Sequence, residues 1–117
     1  MRALAVEGRI KAAVLVDGGL PPGPFDRPEH DPVHYLPRIT IPVLMLNGKY
    51  DCAFPPKQAQ EPMFRLIGTD PAHKRYLPSE IGHVSAPTAE RIQETLSWFN
   101  RHLGPASRNR AAAPGEQ

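Results

Sequence analysis

One cysteine, Cys52, stands in 117 residues. An internal disulfide framework is thereby excluded, and a reducing compartment suits the chain. No apolar run nears the roughly 20 residues that span a bilayer, so no membrane partner is expected. The opening "MRALAVEGRIKAAVLV" has too short an apolar core, with charged "EGRIK" ahead of it, to read as a secretory leader. A cytoplasmic location is the expectation. An excess of one charge is also lacking: 14 Lys and Arg oppose 12 Asp and Glu, for a formal charge of +2. Its basic residues are scattered apart from "RNR" near the end, so no nucleic-acid partner is expected. His30, His34 and His73 have acids nearby, but no spacing fits a metal motif, and they read as loop residues. No metal or cofactor is expected.

Proline and glycine, by contrast, are plentiful, at 15 and nine residues. They cluster between apolar segments, so much of the chain must be irregular. Residues 2–8 suit the end of a helix with Gly8 as its cap. "IKAAVLV" (10–16) and "IPVLMLNG" (41–48) are continuous apolar runs with β-branched residues, the pattern of parallel strands buried on both faces. Between them lies a proline-rich loop (19–37), long enough to be functional or to cover something, with one short helical turn expected before Pro37. Residues 56–68 read as a helix interrupted by Pro62 and capped by Gly68, with Met63, Leu66 and Ile67 at helical spacing. A shorter strand is expected at 73–78.

The strongest helical pattern runs from 88 to 104, with Thr88 and Arg91 at its start and Ile92, Leu96, Phe99 and Leu103 as one stripe. Phe54, Phe64, Trp98 and Phe99 read as core or interface aromatics. The expected organisation is one domain over residues 1–104 and a disordered tail over 105–117. Strands alternating with helices make the fold class α/β, with about three parallel strands, flanking helices and right-handed crossovers. Three strands make a thin sheet, in which one strand alone has neighbours on both sides. At least two strands nevertheless read as fully buried.

In an open parallel sheet, functional groups gather beyond the carboxyl ends of the strands. Asp17, Asp51 and His83 arrive there after the first, second and third strands. Asp17 precedes Gly18-Gly19 and reads as a turn residue. Asp51 and His83 are separated by a helix and a strand, so two adjacent parallel strands would bring them together. An acid that orients an imidazole and stabilises its protonated form is the back half of a hydrolytic triad.

The stretches "PVLMLNGKYDCAFPP", "HKRYLPSEIGHV" and "TLSWFNRHLG" resemble the carboxyl-terminal part of an α/β-hydrolase, of the dienelactone-hydrolase and prolyl-oligopeptidase-like branches. The resemblance covers residues 2–104. It implies a partial α/β-hydrolase fold with Asp51 as the triad acid and His83 as the general base, following the acid-before-histidine order of that family. It also implies a nucleophile elbow, G-x-S-x-G, which this sequence does not contain. Ser79, Ser85 and Cys52 are the residues near the pair that could replace it.

Three function classes follow. The chain is a serine-hydrolase-like part that supplies acid and histidine and needs completion, an inactive interaction module, or a small autonomous esterase using Ser85, Ser79 or Cys52. A small-molecule ester or peptide is the expected substrate if it is active. A homo-oligomer through the exposed strand 10–16 is the expected assembly, since an unpaired apolar edge is a template for pairing.

Overall fold

The computed structural model describes residues 1–83 and 88–106. Its centre is strand β2, Val43–Gly48, whose six residues are all buried. Successive side chains of a strand point to opposite faces. Val43 and Met45 therefore join a core with Ala13, Leu36, Ile39, Met63 and Ile67, while Leu44 and Leu46 pack against Trp98. Apolar residues on both faces demand cover on both faces, and β2 receives it as the middle strand of a parallel sheet.

Strand β1, Ala13–Val16, pairs with one edge of β2, and β3, Lys74–Ser79, pairs with the other. Ala13 lies opposite Val43 and Val16 opposite Leu46; on the other side Val43 faces Lys74 and Gly48 faces Ser79. Helices α1, Arg2–Val6, and α2, Glu61–Leu66, cover one face through Leu4, Ala5 and Met63, and α3, Ala89–Leu103, covers the other through Trp98. The α/β class, the parallel sheet and its three strands agree with the sequence reading.

The element ends differ from expectation for local reasons. Strand β1 is four residues rather than seven, and only Ala13 is fully buried; Val16 is 56% exposed. It is an edge strand, with no neighbour beyond it among the described residues. Helix α1 stops at Val6 rather than at Gly8, because Glu7 turns extended and its carboxylate takes the backbone N–H and guanidinium of Arg9. Pro62 does not interrupt a helix; it sits in the first turn of α2, where a missing N–H is harmless, after a π-type turn over Pro56–Gln60. That helix ends at Leu66, ahead of Gly68. Gly68 has another duty: a Cβ there would lie 2.0 Å from the Pro37 carbonyl oxygen. The long loop contains three 3-10 turns, Pro28–His30, Pro32–His34 and Leu36–Arg38, the last of which includes Pro37.

Helix α3 has the expected start, with the Thr88 hydroxyl accepting the Arg91 N–H at 3.1 Å. Its buried face is not the expected one. Arg91 and Trp98 are buried, with Thr95 and His102 half-buried between and beyond them. Ile92, Leu96 and Leu103 are more than half exposed, and Phe99 lies at the margin. The helix is turned by about one residue, or about 100°, from the face its apolar stripe predicts. Two contacts hold that rotation: Arg91 pairs with Asp17 at the end of β1, and Glu94 pairs with Arg75 of β3.

Trp98→Ala should lower unfolding free energy by about 3–5 kcal/mol in urea denaturation, whereas Ser97→Ala, on the exposed side, should stay within about 0.5 kcal/mol. Similar effects for the two would contradict this orientation of α3.

Candidate active site

Strand β2 ends at Gly48, and the backbone turns at once: the Asp51 N–H reaches back to the Gly48 carbonyl at 3.4 Å. The Lys49 and Tyr50 N–H groups donate to the carbonyls of Ser79 and Ile81, at 2.9 and 3.1 Å, so the turn is stitched to the chain leaving β3. This approach is close enough to require glycine, since a Cβ on residue 48 would lie 2.3 Å from the Ile81 carbonyl oxygen. Outside the backbone, Glu80 accepts the Tyr50 hydroxyl at 2.6 Å and pairs with Lys49. These contacts lead directly to His83, two residues beyond Ile81.

Within this frame Asp51 has no exposed side-chain surface, and its Oδ2 lies 2.7 Å from His83 Nδ1. Its Oδ1 accepts the backbone N–H groups of Ala53 and Phe54, both at 2.8 Å. Burial pushes the Asp51 carboxyl up, but the Phe54 N–H, His83 and the Ala53 N–H outweigh it and hold the group below its ordinary value. Asp51 is thus ionised at neutral pH. Facing an anionic acceptor, Nδ1 carries the imidazole proton, which makes Nε2 the basic nitrogen. The His83 side chain is one-third exposed, and the Phe54 ring lies 5.7 Å from it. A buried, oriented carboxylate behind a solvent-reaching imidazole is the geometry of a general base with its positioning acid.

A second network supports the loop from behind. Gln60, fully buried, donates through Nε2 to the carbonyls of Gly48 and Phe54, and its Oε1 accepts the Tyr76 hydroxyl at 2.6 Å. Beside the same loop, a cavity of about 340 Å³ opens between the proline-rich segment and the residues after Asp51, lined by Leu20, Pro21, Ala53, Pro55 and Ala59.

No family model and no curated protein matches the sequence. Solved structures do. A cold-adapted esterase from an Arctic intertidal metagenomic library, in native and zinc-bound forms, aligns at 26% identity and a TM-score of 0.68, over 86% of this chain and 42% of that one. TT1662 from Thermus thermophilus aligns at 16% identity and a TM-score of 0.70, over 89% of this chain and 49% of that one. The fold is that of part of an α/β-hydrolase. The chain spans less than half the length of these solved proteins.

On this α/β-hydrolase scaffold, Asp51 and His83 come together and Asp17 does not join them. Asp17 adopts a left-handed conformation, φ +54°, and its carboxylate makes a two-pronged pair with Arg91 at 2.8 and 3.1 Å. It is therefore more than a turn residue. Of the possible nucleophiles, Cys52 is exposed, with its Sγ 3.8 Å from the Tyr50 carbonyl. Ser79 is the last residue of β3, not a strand-to-helix turn. Ser85 lies outside the described residues, as does the tail from residue 107. His30 pairs with Asp26, and His73 lies against His102. Among the described residues no three His, Cys, Asp or Glu side chains come together as a metal cluster, and no helix is long and apolar enough to cross a membrane.

Because the Asp51 carboxyl is held below its ordinary value, its contribution to stability is present above about pH 4 and is lost as pH falls through the lowered value. Thermal melts between pH 2 and 7 should therefore show a flatter acid limb for Asp51→Asn than for the wild type. At neutral pH, Asp51→Ala should cost about 1–3 kcal/mol by stranding the N–H groups of Ala53 and Phe54. An unchanged acid limb would contradict the bonding described for this carboxylate.

Proposed function

We propose that this is a serine-hydrolase-like domain of the esterase or peptidase class, in which Asp51 orients His83 and His83 acts as general base. The observation that carries the reading is the 2.7 Å contact of a fully buried carboxylate with an imidazole at the carboxyl end of the sheet. The reading is supported by an esterase that shares the fold at 26% identity. The sequence contains no G-x-S-x-G elbow, so in this reading the nucleophile is supplied by a further segment and the domain is incomplete on its own. His83 Nε2 would take the proton from that hydroxyl as it attacks the acyl carbon, and would return it to the leaving group. The apolar cavity beside Ala53 and Pro55 is the place for a small-molecule ester or peptide side group.

Self-association belongs to the same proposal: the open outer edge of β1, within residues 10–16, is the surface through which copies pair. The absent elbow favours one other reading, a catalytically inactive interaction module. An autonomous esterase using Ser85, Ser79 or Cys52 is the third.

The test is a chimera in which this chain replaces the matching portion of the cold-adapted esterase, assayed with p-nitrophenyl acetate and butyrate. Turnover that falls about 10²–10⁴-fold on His83→Ala is expected. A folded chimera whose activity ignores His83→Ala would overturn the assignment. The same assay on the chain alone separates the remaining readings. A rate that depends on His83 and on one of Ser85, Ser79 or Cys52 would establish an autonomous enzyme.

A further inference from the structure

Gln60 is fully buried, and its one amide meets both ends of the loop that carries Asp51. Its Nε2 bears two hydrogens, and both are used: one on the Gly48 carbonyl at 2.9 Å, the other on the Phe54 carbonyl at 2.7 Å. A reversed amide would set an oxygen against two carbonyl oxygens. The Tyr76 hydroxyl, donating to Oε1 at 2.6 Å, holds the orientation seen. Tyr76 is itself fixed on β3, opposite Met45, with its ring against Phe64. The backbone is shaped for the same contact. Gln60 closes the π-type turn, its N–H reaching back five residues to the Pro55 carbonyl, and such single-turn insertions are frequent at functional sites.

Phe54 passes this constraint to the candidate site. Its carbonyl is held by Gln60, its N–H donates to Asp51 Oδ1 at 2.8 Å, and its ring lies 5.7 Å from the His83 ring, tilted by 59°. The Phe54 side chain also lies against Gly19, so closely that a Cβ on residue 19 would stand 2.7 Å from the Phe54 Cβ. We propose that Gln60 is a positioning residue of the Asp51–His83 pair, which ties the loop 48–54 at both ends and, through Phe54, fixes where the carboxylate and the imidazole stand. The catalytic consequence rests on the general-base reading of His83 above; the positioning is a property of the pair itself. Any donor could satisfy two buried carbonyls. One planar amide bonded to both sets their separation, and Asp51 lies between them. Burial pushes the Asp51 carboxyl up, and among the contacts that outweigh it the Phe54 N–H is the largest, so loosening Phe54 weakens the carboxylate that faces His83.

Gln60→Met keeps the length of the side chain and removes the amide, whereas Tyr76→Phe removes only the hydroxyl that orients it. Both are read in the full chain by NMR of the His83 ring and the Asp51 carboxyl. In each, the ratio of Nε2-protonated to Nδ1-protonated ring at high pH should rise about 3–10-fold, the scale on which one hydrogen bond acts. The Asp51 titration should move up toward its ordinary value. Ile67→Ala is the control: it truncates the core at the Lys74 end of β3, away from the loop, and should lower stability while leaving both readings as in the wild type. Circular dichroism reports folding, and Tyr76→Phe carries the test where Gln60→Met does not fold. Folded variants with a wild-type ring and carboxyl, or equal shifts in Ile67→Ala, would overturn the proposal. In the chimera, Tyr76→Phe should lower kcat with KM unchanged. A chimera indifferent to His83→Ala would end the general-base reading alone, since the ring and the carboxyl decide the positioning in the chain by itself.

Discussion

Burial of β2 on both faces is the constraint from which the rest of the molecule follows. A strand with apolar side chains above and below it is stable only between two neighbours in the sheet and between two layers of cover. That single requirement places β1 and β3 at its edges, sets α1 and α2 against Met45, and sets α3 against Leu44 and Leu46. The same burial fixes the direction and height at which β2 ends. Asp51 follows within three residues, and the absence of a side chain on Gly48 lets the chain leaving β3 cross close by. The acid and the histidine meet because one buried strand and its neighbour finish side by side.

The arrangement resolves an electrostatic problem. A buried carboxylate is costly unless its charge is met, and Asp51 meets it with two backbone N–H groups and an imidazole. Asp17 meets the same need with a buried guanidinium, which is why the two acids at the sheet end have different fates. One leaves its partner partly open to solvent. The other spends its charge on a structural tie between the end of β1 and the first turn of α3.

The legible parts of the sequence were those governed by local burial. The runs "VLMLNG" and "KRYLPS" became β2 and β3, and Thr88 marked the start of α3. Asp51 and His83 were legible because adjacent parallel strands bring their following loops together. What was hidden depended on distant partners. Arg91 occupies the buried face of α3 only because Asp17, 74 residues earlier, neutralises it, so the apolar stripe pointed to the wrong face. Gln60 looked like an ordinary polar helix residue, and nothing local signals that it binds the carbonyls of Gly48 and Phe54. Glu80, with Tyr50 and Lys49, is a pairing between two loops that no spacing rule describes.

The central claim is that Asp51 sets the tautomer of His83 and so makes Nε2 the base. Long-range proton–nitrogen NMR of the ring reads this directly. Above the range in which the imidazole is protonated, the account predicts an Nδ1-protonated ring with a bare Nε2, and a shift toward the Nε2-protonated form in Asp51→Asn. An Nε2-protonated ring in the wild type, unchanged by Asp51→Asn, would contradict it.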